Sequence, residues 1–265
     1  MSPPSLTTRL LTAIAPLALG LIALVTWEMA VRINHIPPYL LPGPWLVAQT
    51  LVKDWPVLLP ALGVTLKITL VAFAAAVVSG LALAMLMAQS PWVEKSLYPY
   101  AIILQTLPIA AISPLIIIWL RNSTFLALVI CAWIVALFPV ISNTTLGLNS
   151  ADANLQDLFR LYRASRWQTL RYLRLPSALP YFLAGLRISG GLALIGAVVA
   201  EFVAGSGGAN SGLAYQILMA SYNLEIPRMF AGLVLITGLG IGIFLVLSAL
   251  SNALLRPWHE SALPR

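Results

Sequence analysis

Long uninterrupted apolar stretches limit what this chain can fold into more than any other feature. A helix needs about 20 mostly apolar residues to cross the hydrocarbon core of a bilayer. Stretches of that length occupy residues 10–30, 59–88, 98–120, 125–148, 181–204 and 229–255. A chain that is 60% hydrophobic and 9% charged cannot bury this much apolar surface in a water-facing domain. The sequence therefore predicts an all-α, polytopic membrane protein with about six transmembrane helices.

Arg9 precedes the first stretch, as a basic residue precedes a secretory signal peptide. The apolar run is longer than the ~7–15 residues of a signal core, and no small-x-small cleavage site follows it. We expect a retained helix.

The basic residues predict an orientation. Six crossings place both termini on one side of the membrane. If that side is the cytoplasm, the inner cations are Arg9, Lys95, Arg160, Arg163, Arg166, Arg171, Arg174, Arg256 and Arg265, and the outer cations are Arg32, Lys53, Arg121 and Arg228. Only this orientation obeys the positive-inside rule. We expect a multi-pass protein of the plasma membrane with cytoplasmic termini.

Several kinds of site are not expected in this sequence. A single cysteine, Cys131, allows no disulfide within the chain, and His35 and His259 lack the spacing of metal ligands. Residues 205–208 are glycine-rich, but no lysine follows them, so they do not form a phosphate-binding loop. We expect neither a metal site, nor a bound cofactor, nor enzymatic activity.

Five arginines stand out in the predicted inner loop between the fourth and fifth stretches. Before and among them, Leu155, Leu158, Phe159 and Tyr162 recur with the period of a helix that has one apolar face. Asn154 is the expected N-cap of this helix.

A second helix is predicted immediately afterwards. Ser165 and Gln168 have the spacing of a capping box, and the helix should end at Leu175-Pro176 because proline disfavours helix in the residue before it. Two short amphipathic helices predict either a segment lying on anionic headgroups or a protein-docking surface. Two capped helices joined by a tight turn favour docking.

The segment 157–176 resembles the "EAA" loop of ABC importer permeases. In that loop an acid is followed by two alanines, then by a glycine six residues after the acid, and later by an aliphatic residue and Leu-Pro. Asp157, Leu173 and Leu175-Pro176 match this register. Here Leu158-Phe159 replace the alanines, and Arg163 replaces the glycine, which would permit a left-handed turn. Either Arg163 is strained in that conformation or the turn takes another shape.

Further matches extend the resemblance over most of the chain, to the sulfonate, taurine and nitrate branch that includes permeases for thiamine precursors and riboflavin. They are Leu41-Pro42-Gly43-Pro44, Leu107-Pro108, Phe138-Pro139 with Asn143-Thr144, Ala164-Ser165-Arg166, Ala178-Leu179-Pro180 and Val199-Ala200-Glu201. The resemblance implies a type I ABC importer permease fold in a bacterial inner membrane. We expect a single permease domain over 1–265, with its core at 59–255 and its coupling loop at 149–180.

The resemblance also implies partners and a site. The partners are two copies of a separate ATPase subunit, which uses ATP and magnesium, an extracytoplasmic substrate-binding protein and a second copy of this chain; no nucleic acid is expected. The residues implied in coupling are Asp157, Leu158, Phe159, Arg160, Tyr162, Arg163, Ala164, Ser165, Arg166, Leu173, Leu175 and Pro176.

Polar residues and prolines within the apolar stretches indicate a possible pathway or gate. Pro99, Pro108 and Pro114 should break the third stretch. The pathway or gate candidates are Gln105, Thr106, Pro108, Ser142, Asn143, Thr144 and Glu201. Packing between helices explains the serine, asparagine and threonine residues equally well. Glu201 either pairs with Lys67 across helices or stands alone while Lys67 snorkels to the interface.

Two other classes of function remain open at this stage. A stand-alone secondary carrier or channel usually shows internal repeats and a carboxylate at mid-depth, and neither is visible. A basic loop that binds ribosomal RNA would not need the capped helices or the Leu-Pro register. The sequence shows no buried cluster of cations for an anionic solute, which favours a neutral or aromatic one.

Overall fold

The computed structural model describes residues 6–204 and 211–256, with side chains from residue 15 onward; the glycine-rich stretch 205–208 and His259 lie outside it. Every regular element in these ranges is helical. The elements are α1 (Leu6–Ile33), α2 (Pro44–Lys53), α3 (Trp55–Met87), α4 (Pro91–Thr106), α5 (Ile109–Trp119), α6 (Thr124–Asn149), α7 (Ala153–Leu161), α8 (Arg166–Thr169), a π-helical segment (Leu170–Arg174), α9 (Leu175–Ala204), α10 (Leu213–Tyr222) and α11 (Ile226–Leu255).

Five of these helical runs are long and apolar enough to cross a membrane. They are Ala15–Ile33, Trp55–Met87, Thr124–Asn149, Arg166–Ala204 and Ile226–Leu255. Together, α4 and α5 supply a sixth crossing if the bent pair counts as one span. The prediction of about six membrane helices is confirmed, with the third one bent.

The third span has one break, where three prolines predicted three. The axes of α4 and α5 differ by 96° across Leu107 and Pro108, which are both in extended conformation. The expected breaks at Pro99 and Pro114 are wrong, because both prolines lie inside helices. A single proline removes one hydrogen bond and bends a helix, whereas two successive extended residues end it.

Contacts divide the chain into two units. One comprises residues up to Pro60 together with Gln216–Leu235. In it, Trp27 lies 5.8 Å from Phe230 between ring centroids, and Arg228 bonds to Asp54 through Nε at 2.6 Å. The other unit comprises Ala61–Tyr215 and the residues from Ile236 on, and it holds the α6–α9 pair.

The two helices α6 and α9 run antiparallel with their backbones in close approach. A β-carbon at Gly147 would lie 2.8 Å from the Ala178 Cα, and one at Gly196 would lie 2.8 Å from the Ala132 Cα. Between them, a β-carbon at Gly185 would meet the Pro139 carbonyl oxygen at 2.8 Å. Small residues at a helix–helix contact are typical of membrane interiors, where close packing takes the place of hydrophobic burial.

Substitution of these glycines tests the contact. We expect Gly196→Ala to lower the free energy of unfolding by about 1–3 kcal/mol, because the added methyl group has no space. Gly191, on the same helix, has nothing within 4 Å of a β-carbon, so Gly191→Ala should leave stability unchanged or raise it by about 0.5–1 kcal/mol. Denaturant unfolding in detergent measures both; equal effects would contradict the contact.

Candidate functional site

The loop between α6 and α9 begins with α7, whose first turn is capped by a carboxylate. Asp152 Oδ1 accepts the backbone N–H groups of Asn154 at 2.8 Å and Leu155 at 3.2 Å. The expected cap, Asn154, is wrong: the helix already includes this residue, and it begins at Ala153. The acidic side chain outside the first turn also complements the positive end of the helix dipole.

The turn after α7 places Arg163 in the left-handed region, with φ of 50°. The Ala164 N–H donates to the Phe159 carbonyl and the Arg163 N–H donates to the Arg160 carbonyl, both at 2.9 Å. These two bonds define a Schellman motif, in which the left-handed position is usually glycine. Arg163 therefore adopts the left-handed conformation that a glycine would take without strain, which lowers the stability of the turn by about 1–2 kcal/mol.

The predicted capping box at the start of α8 is confirmed. The Gln168 N–H donates to Ser165 Oγ at 3.2 Å, and Gln168 Oε1 accepts the Ser165 N–H at 2.7 Å. The expected end at Leu175-Pro176 is wrong, since Arg166–Ala204 is one helical run. The Leu175 N–H bonds to the Leu170 carbonyl, five residues back. This wider π turn relieves the clash that Pro176 would otherwise make with the carbonyl four residues before it.

The loop is attached to the rest of its unit through α8 and the π segment. Leu170 is buried in a cluster with Ala84, Leu148 and Ala178. Arg174 Nη1 donates to the carbonyl of Ala88, just beyond the end of α3, at 3.0 Å. Burial and a charged hydrogen bond at a helix C-terminus therefore fix this end of the loop.

The predicted apolar face of α7 is left uncovered by this chain. No residue of α7 is buried, and Leu158 and Tyr162 are 44% and 80% exposed. A groove of about 340 Å³ runs along this face, lined by Leu158, Phe159, Tyr162, Ala164, Gln168 and Tyr172. An apolar groove on an otherwise cationic loop is a surface that can take up a protein partner.

The loop's charges are largely free of acidic partners. Arg160 Nη1 lies 3.1 Å from Asp157 Oδ1, in an exposed pair. Across the described ranges, Arg163, Arg166 and Arg171 form no ion pair. By contrast, Arg32 pairs with Glu28, and Arg228 pairs with Asp54 and Glu225.

The pathway candidates lie in three separate places: at the bend between α4 and α5, on α6, and, for Glu201, near the end of α9. Gln105, Thr106 and Pro108 are exposed at the bend between α4 and α5. Ser142 and Asn143 are half-buried and Thr144 is buried, all on α6. Asn143 Nδ2 donates to the Pro139 carbonyl at 2.9 Å, and its Cβ lies close to Gly185. Asn143 therefore takes part in the α6–α9 contact.

Glu201 is 3% exposed and holds the beginning of α10. Its Oε2 accepts the Ala214 N–H at 3.0 Å. Its Oε1 lies 2.8 Å from Thr65 Oγ1, which in turn accepts the Leu213 N–H at 2.8 Å. A β-carbon at Gly212 would overlap the Glu201 carboxylate. Glu201 thus links α3, α9 and the N-terminus of α10, where a carboxylate is favoured.

Lys67 is not the partner of Glu201. Lys67 Nζ lies 5.2 Å from the centre of the Phe125 ring, a cation–π contact, and forms no ion pair within 6–204 and 211–256. Of the two alternatives left open by the sequence, the structure excludes the Glu201–Lys67 pair, and Glu201 forms buried hydrogen bonds instead.

Sequence reasoning missed three carboxylates that accept backbone N–H groups at helix starts: Asp152 at α7, Glu28 at α2 and Glu201 at α10. Asp152 could have been found, since an acid directly before a helical period is a strong N-cap signal. Glu28 accepts the Trp45 N–H at 3.1 Å near the start of α2, as Glu201 does at α10. In both cases a glycine, Gly43 or Gly212, leaves room for the carboxylate, but the sequence does not reveal such long-range partners.

Comparisons with known proteins agree on one family. The family profile of the binding-protein-dependent transport system inner membrane component matches residues 76–259. The formylaminopyrimidine transport permease protein ThiX of Halalkalibacterium halodurans is 34% identical over 94% of this chain and 97% of its own. The riboflavin transport system permease protein RibX of Chloroflexus aurantiacus is 32% identical over 92% of this chain and 91% of its own. The solved structure of the MetNI methionine ABC transporter gives a TM-score of 0.64 at 18% identity, covering 76% of this chain and 97% of the other.

Replacing Arg163 by glycine tests the strained turn. We expect Arg163→Gly to slow amide hydrogen exchange in residues 153–164 about fivefold, because α7 opens locally and the left-handed turn no longer strains a side chain. Arg163→Ala removes the same charge but keeps the strain, so it should give no slowing. Equal slowing in both variants would assign the effect to charge and contradict the strain.

Proposed function

The chain belongs to the family of binding-protein-dependent transport system inner membrane components, and on this premise we propose that its exposed α7 groove is the surface by which an ATPase subunit moves it. The chain is a membrane permease subunit of an ABC importer with a type I fold, and ATP hydrolysis lies in a separate subunit. The expectations for fold class, permease function and the absence of catalysis in this chain are therefore confirmed.

The uncovered apolar face of α7 is the observation that carries the docking proposal. Leu158 and Tyr162 leave 44% and 80% of their surface exposed, whereas Leu170 in the same loop is buried in the core of its unit. A partner that covers the groove would gain apolar burial next to unpaired arginines. A force applied there would pass through the attached turn into Arg166–Ala204, which is one continuous helical run.

The oligomer and the orientation extend the same proposal. We propose a homodimer of this chain with two ATPase subunits and one substrate-binding protein, and with both termini in the cytoplasm. The distribution of basic residues supports this orientation, since nine lysines and arginines fall on the assigned inner side and four on the outer side. An excess of lysine and arginine marks the cytoplasmic side of a membrane protein.

Charge placed in the groove tests the docking. We expect Leu158→Glu to reduce copurification with the ATPase, and ATP hydrolysis stimulated by the binding protein, by at least about tenfold, because a carboxylate would be buried without a partner. Leu161→Glu is the matched control, since Leu161 is 80% exposed on the same helix but does not line the groove. A loss of similar size in the control would place the docking surface elsewhere.

Glu201 is proposed to support the outer gate, because it joins α9 to α10 at the end of the span opposite the coupling loop. Glu201→Gln replaces one of the two acceptor oxygens, which now face the Ala214 N–H and the Thr65 hydroxyl, by an amide donor, so the cap should weaken and transport per folded complex should fall about tenfold. Unchanged transport and unchanged stimulated ATP hydrolysis would exclude this role.

For the substrate we propose an aromatic heterocycle. The support comes from the full-length similarity to the permeases named for formylaminopyrimidine and riboflavin. Titration of these two compounds, with taurine and nitrate as anionic controls, into the cognate binding protein tests it. Preference for an anion would overturn the assignment.

A further inference from the structure

A second cavity lies on the other side of the coupling loop from the docking groove. It has a volume of about 540 Å³ and opens between the turn that joins α3 to α4, the end of α6, and α7–α8. Arg160 and Gln156 line it from α7, on the face opposite Leu158 and Tyr162. The two cavities therefore lie on different faces of α7 and share only Ala164 among their lining residues.

The walls of the cavity are cationic and rich in hydrogen-bond donors. Three arginines, Arg160, Arg166 and Arg174, line it, against a single carboxylate, that of Glu94. Gln89 adds a neutral donor, whereas the Thr169 hydroxyl already donates to the Ser165 carbonyl at 3.1 Å. The two oxygens of one carboxylate cannot balance the charge or accept all the hydrogen bonds of three guanidinium groups. A planar guanidinium group can donate two parallel hydrogen bonds to a phosphate group.

Two of these arginines have donors to spare. Arg174 lines the cavity and donates through Nη1 to the Ala88 carbonyl, and its guanidinium group forms no other hydrogen bond and no ion pair within the described part of the chain. Arg166 is exposed and forms no ion pair within the same ranges. Arg160 is held by Asp157, so it is the least available of the three.

We propose that this cavity binds a phosphate group, held chiefly by Arg166 and Arg174. The group belongs either to a soluble phosphate compound or to the headgroup of an anionic phospholipid, since both offer the same oxygens. A bound phosphate would link α8 to the turn after α3 and restrain the coupling loop. The proposal concerns binding to this chain alone, so it does not depend on docking of the ATPase.

Binding to the purified chain tests the proposal in two arms. Calorimetric titration with pyrophosphate in detergent probes the soluble source. Native mass spectrometry of the chain with phosphatidylglycerol probes the lipid source. In at least one arm, Arg174→Gln and Arg166→Gln should each weaken binding about tenfold, whereas Glu94→Gln should strengthen it by removing the single negative charge of the wall.

Arg171→Gln is the matched control, because it removes the same charge from the same helical run but Arg171 does not line the cavity. It should change binding less than twofold. A weaker binding in Arg166→Gln cannot be attributed to misfolding, because Arg166, unlike Arg174, makes no hydrogen bond to another element in the described structure. If the two cavity variants weaken binding no more than Arg171→Gln, or if neither probe binds, the cavity is not a phosphate site.

Discussion

The close backbone approach of α6 and α9 is the constraint on which the rest of this structure depends. Glycines at three levels of the contact bring the two helices together, and the Ser189 hydroxyl donates to the Ala136 carbonyl at 2.7 Å within it. The coupling loop joins the ends of this pair, because α6 ends at Asn149 and the next span begins at Arg166. Because the loop is continuous with the helical run that contains α9, a movement of the loop must also move the start of α9.

The helical run Arg166–Ala204 joins the proposed coupling loop to the proposed outer gate. Its 39 residues correspond to about 58 Å at the rise of an α-helix. At one end it carries the capping box and the buried anchor Leu170; near the other end Glu201 holds the start of α10. The π segment lies close to the loop, where it accommodates Pro176 without breaking the run. Local movement at the loop therefore has a continuous path to the Glu201 cap.

Sequence reasoning succeeded where the signal is local or periodic. The apolar stretches predicted the membrane helices, and the Ser165–Gln168 spacing predicted the capping box. The register left open whether Arg163 keeps the left-handed turn that the structure shows. Sequence reasoning failed at Pro176, which continues a helix because the preceding turn widens, and it left open the partner of Glu201, which bonds to Thr65 on α3 and to Ala214. Neither result leaves a pattern in the nearby residues.

Distance measurements along and across this helical run test the transmission of force most directly. Cys131 is buried and would be replaced by serine, and spin labels at Trp167 and Ile195 would lie about 42 Å apart, on both sides of the π segment. On ATP binding to the assembled complex, the account predicts that this distance stays constant within about 2 Å while the distance from Trp167 to Trp92 on α4 changes. A large change within the run, or no change in either distance, would contradict transmission through a continuous helix.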